Sequence, residues 1–111
     1  MAAEPVPADA FHLERRDTDA TLLLSGELSY TSVTQALALT AGWPAQVVGK
    51  GAGILRVDLS GVQHCDSAGV ALLLQWLRKA RLAGREIRFQ NLPEQMRSLV
   101  HFFDLEDILH T

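Results

Sequence analysis

Two neighbouring stretches decide the fold: Ile54-Leu55-Arg56-Val57-Asp58-Leu59-Ser60-Gly61-Val62 and, after three further residues, Asp66-Ser67-Ala68-Gly69-Val70-Ala71-Leu72-Leu73-Leu74-Gln75-Trp76-Leu77. Ile54 to Leu59 is a short, mostly apolar run, the pattern of a central strand covered on both faces, and Ser60-Gly61-Val62 reads as the start of a connection. From Asp66 to Ala83, Val70, Leu73, Leu74 and Leu77 recur at i, i+3, i+4 and i+7, which predicts an amphipathic helix. Asp66 is a good N-cap for it and Gly84 its natural stop. Glu86 to Gln90 then alternates Ile87 and Phe89 with charge, a further strand. Strand, helix and strand in this order form a right-handed crossover unit with parallel strands.

Upstream, Phe11 to Arg15 alternates apolar and polar residues. Asp17-Thr18-Asp19 supplies turn chemistry before the run Ala20 to Leu24, so a β-hairpin is expected, with Ser25-Gly26-Glu27-Leu28-Ser29 breaking its second strand. Ser32 followed by Gln35 has the spacing of a capping box ahead of Val33, Ala36, Leu37 and Leu39, predicting a helix that ends before Gly42 and Pro44. Ala45 to Gly53, with Gly49, Gly51 and Gly53, reads as a mobile loop. Downstream, Asn91-Leu92-Pro93 introduces a helix with Met96, Leu99, Val100 and Phe103 on its apolar face, and a last helical turn is expected over Leu105 to Leu109. The order β-β-α-β-α-β-α defines an α/β fold: one small mixed sheet with amphipathic helices packed on it. Residues 1–10, small, acidic and proline-punctuated, read as a flexible tail before a single domain at 11–111.

Composition fits this outline and removes several classes of function. The chain has 111 residues, 48% hydrophobic and 21% charged, a globular composition of one-domain size. A net charge of -3 lacks the basic surplus of a nucleic-acid binder. One cysteine, Cys65, forms no intramolecular disulfide, which fits a reducing, cytoplasmic setting. The first ten residues have no basic start and no apolar run, so no signal peptide is expected. No apolar run approaches the roughly 20 residues that span a bilayer, so a membrane role would come through a partner.

Three chemistries fail on spacing. His64, Cys65 and Asp66 could each ligate zinc, but consecutive residues diverge and no second ligand pair exists at metal-site spacing. Gly49-Lys50 suggests a phosphate loop, yet Pro44 and Gly51 stand where glycine and a hydroxyl residue are required. Ser67 with His64 lacks the nucleophile elbow, Cys65 standing two before the serine where glycine belongs, and no orienting carboxylate is in place. No catalytic residue, metal or cofactor is therefore expected.

The helix from Asp66 offers more. Val70, Leu73, Leu74 and Leu77 must be core, since burying each is worth roughly 1.5 to 3 kcal/mol. Leu72 and Trp76, four apart on another face, read either as extra core contact or as an exposed docking strip, tryptophan being enriched at interface hot spots. Arg78, Lys79, Arg81, Arg85, Arg88 and Arg97 form a basic cluster. It reads either as a solvated face that complements the helix dipole or as an electrostatic contact with an acidic partner or lipid headgroups.

Val57-Asp58-Leu59-Ser60-Gly61-Val62 followed by Cys65-Asp66-Ser67-Ala68-Gly69-Val70-Ala71-Leu72-Leu73 resembles the STAS domain family, named after sulfate transporters and anti-sigma-factor antagonists. The family pattern is a strand ending in D-L-S, a loop, and D-S/T-x-G-L opening an amphipathic helix. Ser25-Gly26-Glu27-Leu28 is similar to the family's segment after the second strand, and the resemblance spans Phe11 to Leu109. It implies a STAS fold that binds protein partners and is not a catalyst. In the antagonist branch the residue immediately before the motif glycine is a phosphorylated Ser or Thr; here it is Ala68, so switching at that position is unavailable.

The hydroxyl kept at Ser67 resembles the branch that serves as the STAS subunit of phospholipid-transporting ABC complexes, which maintain outer-membrane lipid asymmetry, although Ala68 replaces a frequent glycine. That likeness implies contact between Ser67, with the start of its helix, and a cytoplasmic ABC ATPase subunit, and through it the permease. The docking surface is expected to comprise Asp66, Ser67, the close-approach Gly69 and an exposed Leu72/Trp76 strip, with Arg78 and Lys79 at its edge. The chain would then be cytoplasmic and peripheral to the inner membrane through its complex. The alternative is an anti-sigma-factor antagonist that binds an anti-sigma factor kinase, with Ser67 taking the phosphate.

Overall fold

The predicted crossover is formed by β3 (Ile54–Cys65), α2 (Ser67–Leu82) and β4 (Glu86–Gln90), the two strands running parallel with Val57 beside Phe89. The computed structural model describes residues 10–16, 19–43 and 54–109. The predicted glycine-rich loop at 45–53 and nearly all of the predicted tail lie outside them. β1 (His12–Arg16) and β2 (Thr21–Leu28) make the antiparallel hairpin, and β2 pairs parallel with β3. The sheet order β1-β2-β3-β4 leaves the hairpin's first strand at one edge.

Both central strands run further than their composition predicts. Ser25-Gly26-Glu27-Leu28 continues β2, and Ser60-Gly61-Val62 lies inside β3, which reaches Cys65. Glycine there serves close approach. Gly61 sits opposite Ser25, and a Cβ on it would lie 2.7 Å from the Ser25 Cβ and 2.9 Å from the Leu24 carbonyl. The register shifts on either side of this point, and Gly26 takes a φ of 82°, so the pair of strands bends without parting. β3 is fully covered on one face only: buried Leu55, Val57 and Leu59 alternate with half-buried Ile54, Arg56 and Asp58.

The first helix, α1 (Tyr30–Leu39), is capped by Ser29, three residues before the serine that the spacing suggested. Ser32 is the other half of the box. Its Oγ accepts from the Ser29 N–H at 3.0 Å and donates to the Glu27 carbonyl at 2.8 Å, leaving no cap role for Gln35. α2 ends as predicted, with Gly84 at φ 69° just beyond it. α3 (Glu94–Phe102) buries Met96 and Val100, but Phe103 falls at its C-cap and is exposed. α4 (Glu106–Leu109) closes the core with Leu109.

Candidate functional site

The C-terminal ends of β2 and β3 lie side by side, Leu28 beside Cys65, and each feeds a helix. The N-termini of α1 and α2 therefore emerge together at one end of the sheet. The Asp66 carboxylate joins them. Its Oδ1 accepts from Ala68 N at 2.9 Å and Gly69 N at 3.3 Å, capping α2, while Oδ2 accepts from Tyr30 N at 3.2 Å. One side chain thus satisfies free N–H groups at the starts of two helices. Beside it, Ser29 Oγ donates to a Glu27 carboxylate oxygen at 2.8 Å and lies 2.8 Å from the Thr31 hydroxyl.

Ser67 is the first residue of α2 and is exposed, as are Ala71 and Gln75 one and two turns along the same face. Tyr30, the first residue of α1, is 76% exposed. The sequence reading missed it. Nothing local marks it, because what makes it part of the site is the bond from its N–H to a carboxylate 36 residues away.

Other predicted surface residues lie elsewhere. Leu72 and Trp76 are completely buried: the Trp76 indole N–H donates to Thr40 Oγ1 at 3.1 Å, and its ring meets Trp43 edge-on at 6.1 Å. They form no docking strip, because α1 and the turn after it cover that face, and α2 buries a wider arc than a single stripe. Gly69 is also buried. Its close approach is to its own chain, a Cβ there meeting the Leu28 carbonyl at 2.7 Å. Arg78 and Lys79 lie about 17 Å along the helix axis from Ser67, three turns further down α2.

Cys65, immediately before the cap, donates its N–H to Gln95 Oε1 at 3.3 Å and buries its thiol. Burial pushes the thiol pKa up and the neighbouring Asp66 charge adds to it, which favours the protonated form over the thiolate that metal binding requires. Among the described residues, no three His, Cys, Asp or Glu side chains gather in a metal-binding cluster. The exposed Tyr30 ring and the exposed Thr31 and Ser67 hydroxyls at these helix starts combine an apolar face with hydrogen-bonding groups.

Comparisons with known proteins agree on the kind of domain. Residues 11–110 match the family model described as Mlab, STAS domain. The chain is 32% identical over 100 residues to the intermembrane phospholipid transport system binding protein MlaB of Haemophilus influenzae, covering 86% of this chain and 90% of that one. Among solved structures, it is similar to the Bacillus cell fate determinant SpoIIAA in its phosphorylated form, with a TM-score of 0.64 and 25% identity over 88% of this chain and 86% of that one. The unphosphorylated form of the anti-sigma factor antagonist SpoIIAA gives 0.61 at 25% identity, over 84% and 83%.

Proposed function

The chain belongs to the STAS domain family, and from that premise we propose that it is a non-catalytic accessory subunit that binds and supports the ATPase of an intermembrane phospholipid ABC transporter. The observation that carries this reading is the likeness to a phospholipid transport binding protein along nearly the whole chain. In this reading the domain works on the cytoplasmic side, lipid never touches it, and ATP hydrolysis belongs to the partner. Its contribution is a preformed surface that stabilises the ATPase in its complex with the permease and so supports outer-membrane lipid asymmetry.

The contact is made by Ser67 and the start of α2, with Asp66 holding the helix start in place and Tyr30 and Thr31 flanking it. Ser67 suits such a contact because it is small, exposed and adjacent to the positive end of the helix dipole, so a partner's backbone or acceptor group can come close. The tagged chain, purified from its native host in mild detergent and analysed by mass spectrometry, should bring down an ABC ATPase and its permease. Ser67→Trp should weaken that association about tenfold or more, at an unchanged melting temperature. Affinity equal to that of the unaltered chain would remove Ser67 from the interface.

A second reading is favoured by the likeness to SpoIIAA: an anti-sigma-factor antagonist whose exposed Ser67 takes a phosphate from an anti-sigma kinase. Asp66 works against it by placing a carboxylate next to the new charge, and Ala68 offers no second hydroxyl. Recovery of a kinase-like anti-sigma factor in the same purification, with one phosphate gained on incubation with that kinase and ATP, would establish this reading and displace the transporter.

A further inference from the structure

The basic end of α2, about 17 Å along the helix from Ser67, frames a groove of its own. Leu74, Leu77, Arg78, Arg81 and Leu82 follow one another at i, i+3, i+4, i+7 and i+8 on a single face of the helix, and Ile108 of α4 stands opposite. Together they line a cavity of about 340 Å³. Past Leu77 this face leaves the core: Leu74 is half-buried and Leu77 buried, but Leu82, the last residue of the helix, is 80% exposed. Ile108 is also exposed.

The charge of the groove has one sign. Among the described residues no carboxylate lines it, and neither Arg78 nor Arg81 has an ion pair. The helix dipole accounts for only part of this, since its effect is confined to the last turn and Arg78 lies before that turn. It accounts for none of the exposed leucine and isoleucine between the arginines. A chain of net charge -3 therefore presents an apolar trough edged by two free guanidinium groups, each suited to bidentate pairing with a carboxylate.

We propose that this groove is a second protein-binding site, one that takes an acidic, amphipathic segment of a partner, with apolar side chains between Leu74, Leu82 and Ile108 and carboxylates on Arg78 and Arg81. An anionic membrane fits less well. Lipid surfaces recruit clusters of about four to eight Lys or Arg, whereas this end of α2 carries three. The site lies near the far end of α2 from Ser67, so one helix offers two separate contacts to an assembly.

The test uses the full chain in its native host, with a photoreactive benzophenone amino acid replacing Leu82 and, as background, the same group replacing exposed Glu14 on β1. After illumination and purification the adduct at position 82 is mapped by mass spectrometry. The expected result is a cross-link to a protein segment in which Asp and Glu outnumber Lys and Arg. It should fall to the Glu14 background when Arg78→Glu and Arg81→Glu are combined, and persist when both are changed to Lys. All of these variants should keep the melting temperature of the parent. A cross-link to lipid, to a second copy of this chain or to a segment without acidic excess would overturn the proposal, as would no adduct above background or one indifferent to charge reversal.

Discussion

The Trp76 indole N–H donates to the Thr40 hydroxyl at 3.1 Å, tying the middle of α2 to the C-cap of α1. Both residues are fully buried, and the Thr40 hydroxyl itself donates to the Ala36 carbonyl at 2.8 Å. Trp76→Ala should therefore act on stability, by about 3–5 kcal/mol. Thr40→Val keeps the volume but leaves the indole N–H without a partner, at about 1–3 kcal/mol; the Ala36 carbonyl retains its bond from the Thr40 N–H. Urea denaturation measures both. If Trp76→Ala left stability unchanged while weakening partner binding, this tryptophan would belong to a surface after all.

The contrast between Trp76 and Tyr30 indicates what sequence can carry. Periodicity located α2, β4 and α3 because the spacing of apolar residues is a local property, recorded within one or two turns. Which of two apolar faces is covered depends on what packs there, and Trp76 is covered by residues 33 and 36 positions away. The strand ends were misread for a related reason. Ser25-Gly26 and Ser60-Gly61 have turn composition, yet the glycine at 61 is needed because Ser25 of the adjacent strand comes so close. Asp66 and Ser67 were legible as a cap and its first residue, whereas the bond from Tyr30 that makes them part of a two-helix surface was not.

Gly69 gives a sharp test of packing. A Cβ at this position would lie 2.7 Å from the Leu28 carbonyl oxygen, which is backbone within a paired strand and has little freedom to yield. Gly69→Ala should destabilise the chain by about 1–3 kcal/mol despite its favourable helix propensity. Chemical denaturation would show this, and a variant as stable as the parent would mean that α2 can shift off β2 without cost.

Cys65 should be slow to react. Its thiol is buried and its pKa raised, by desolvation first and by the Asp66 charge second, so the thiolate fraction near pH 8 is below that of an ordinary cysteine. Iodoacetamide modification of the native chain, followed by intact mass, should lag well behind that of the urea-unfolded chain. Equal rates would place the thiol in solvent.

Asp58 should make the stability depend on pH at the acid end. Burial works to raise its pKa, but hydrogen bonds from the Ser60 backbone and side chain and from Asn91, with the Arg16 charge, outweigh that and leave it lowered. A folded-state pKa below the unfolded value gives stability that is present above the unfolded value and lost as pH falls through the folded one. The parent should lose stability relative to Asp58→Asn between about pH 5 and pH 2. A stability difference between the two that stayed constant over that range would show that the carboxylate has the same pKa folded and unfolded.

Asp66 offers two separable functions in one side chain, since Oδ1 caps α2 and Oδ2 holds the Tyr30 N–H. Asp66→Ala removes both, at about 0.5–2 kcal/mol for the cap alone. Asp66→Asn retains one acceptor oxygen and presents an NH2 group where the second acceptor stood. It can therefore keep the α2 cap only by turning a donor toward the Tyr30 N–H. Amide hydrogen exchange resolves the difference. Faster exchange at the start of α1 is expected in both variants, whereas faster exchange in the first turn of α2 is expected in Asp66→Ala alone. Protection of the Tyr30 amide unchanged in Asp66→Ala would mean that the two helix starts are held together by packing alone, without the carboxylate between them.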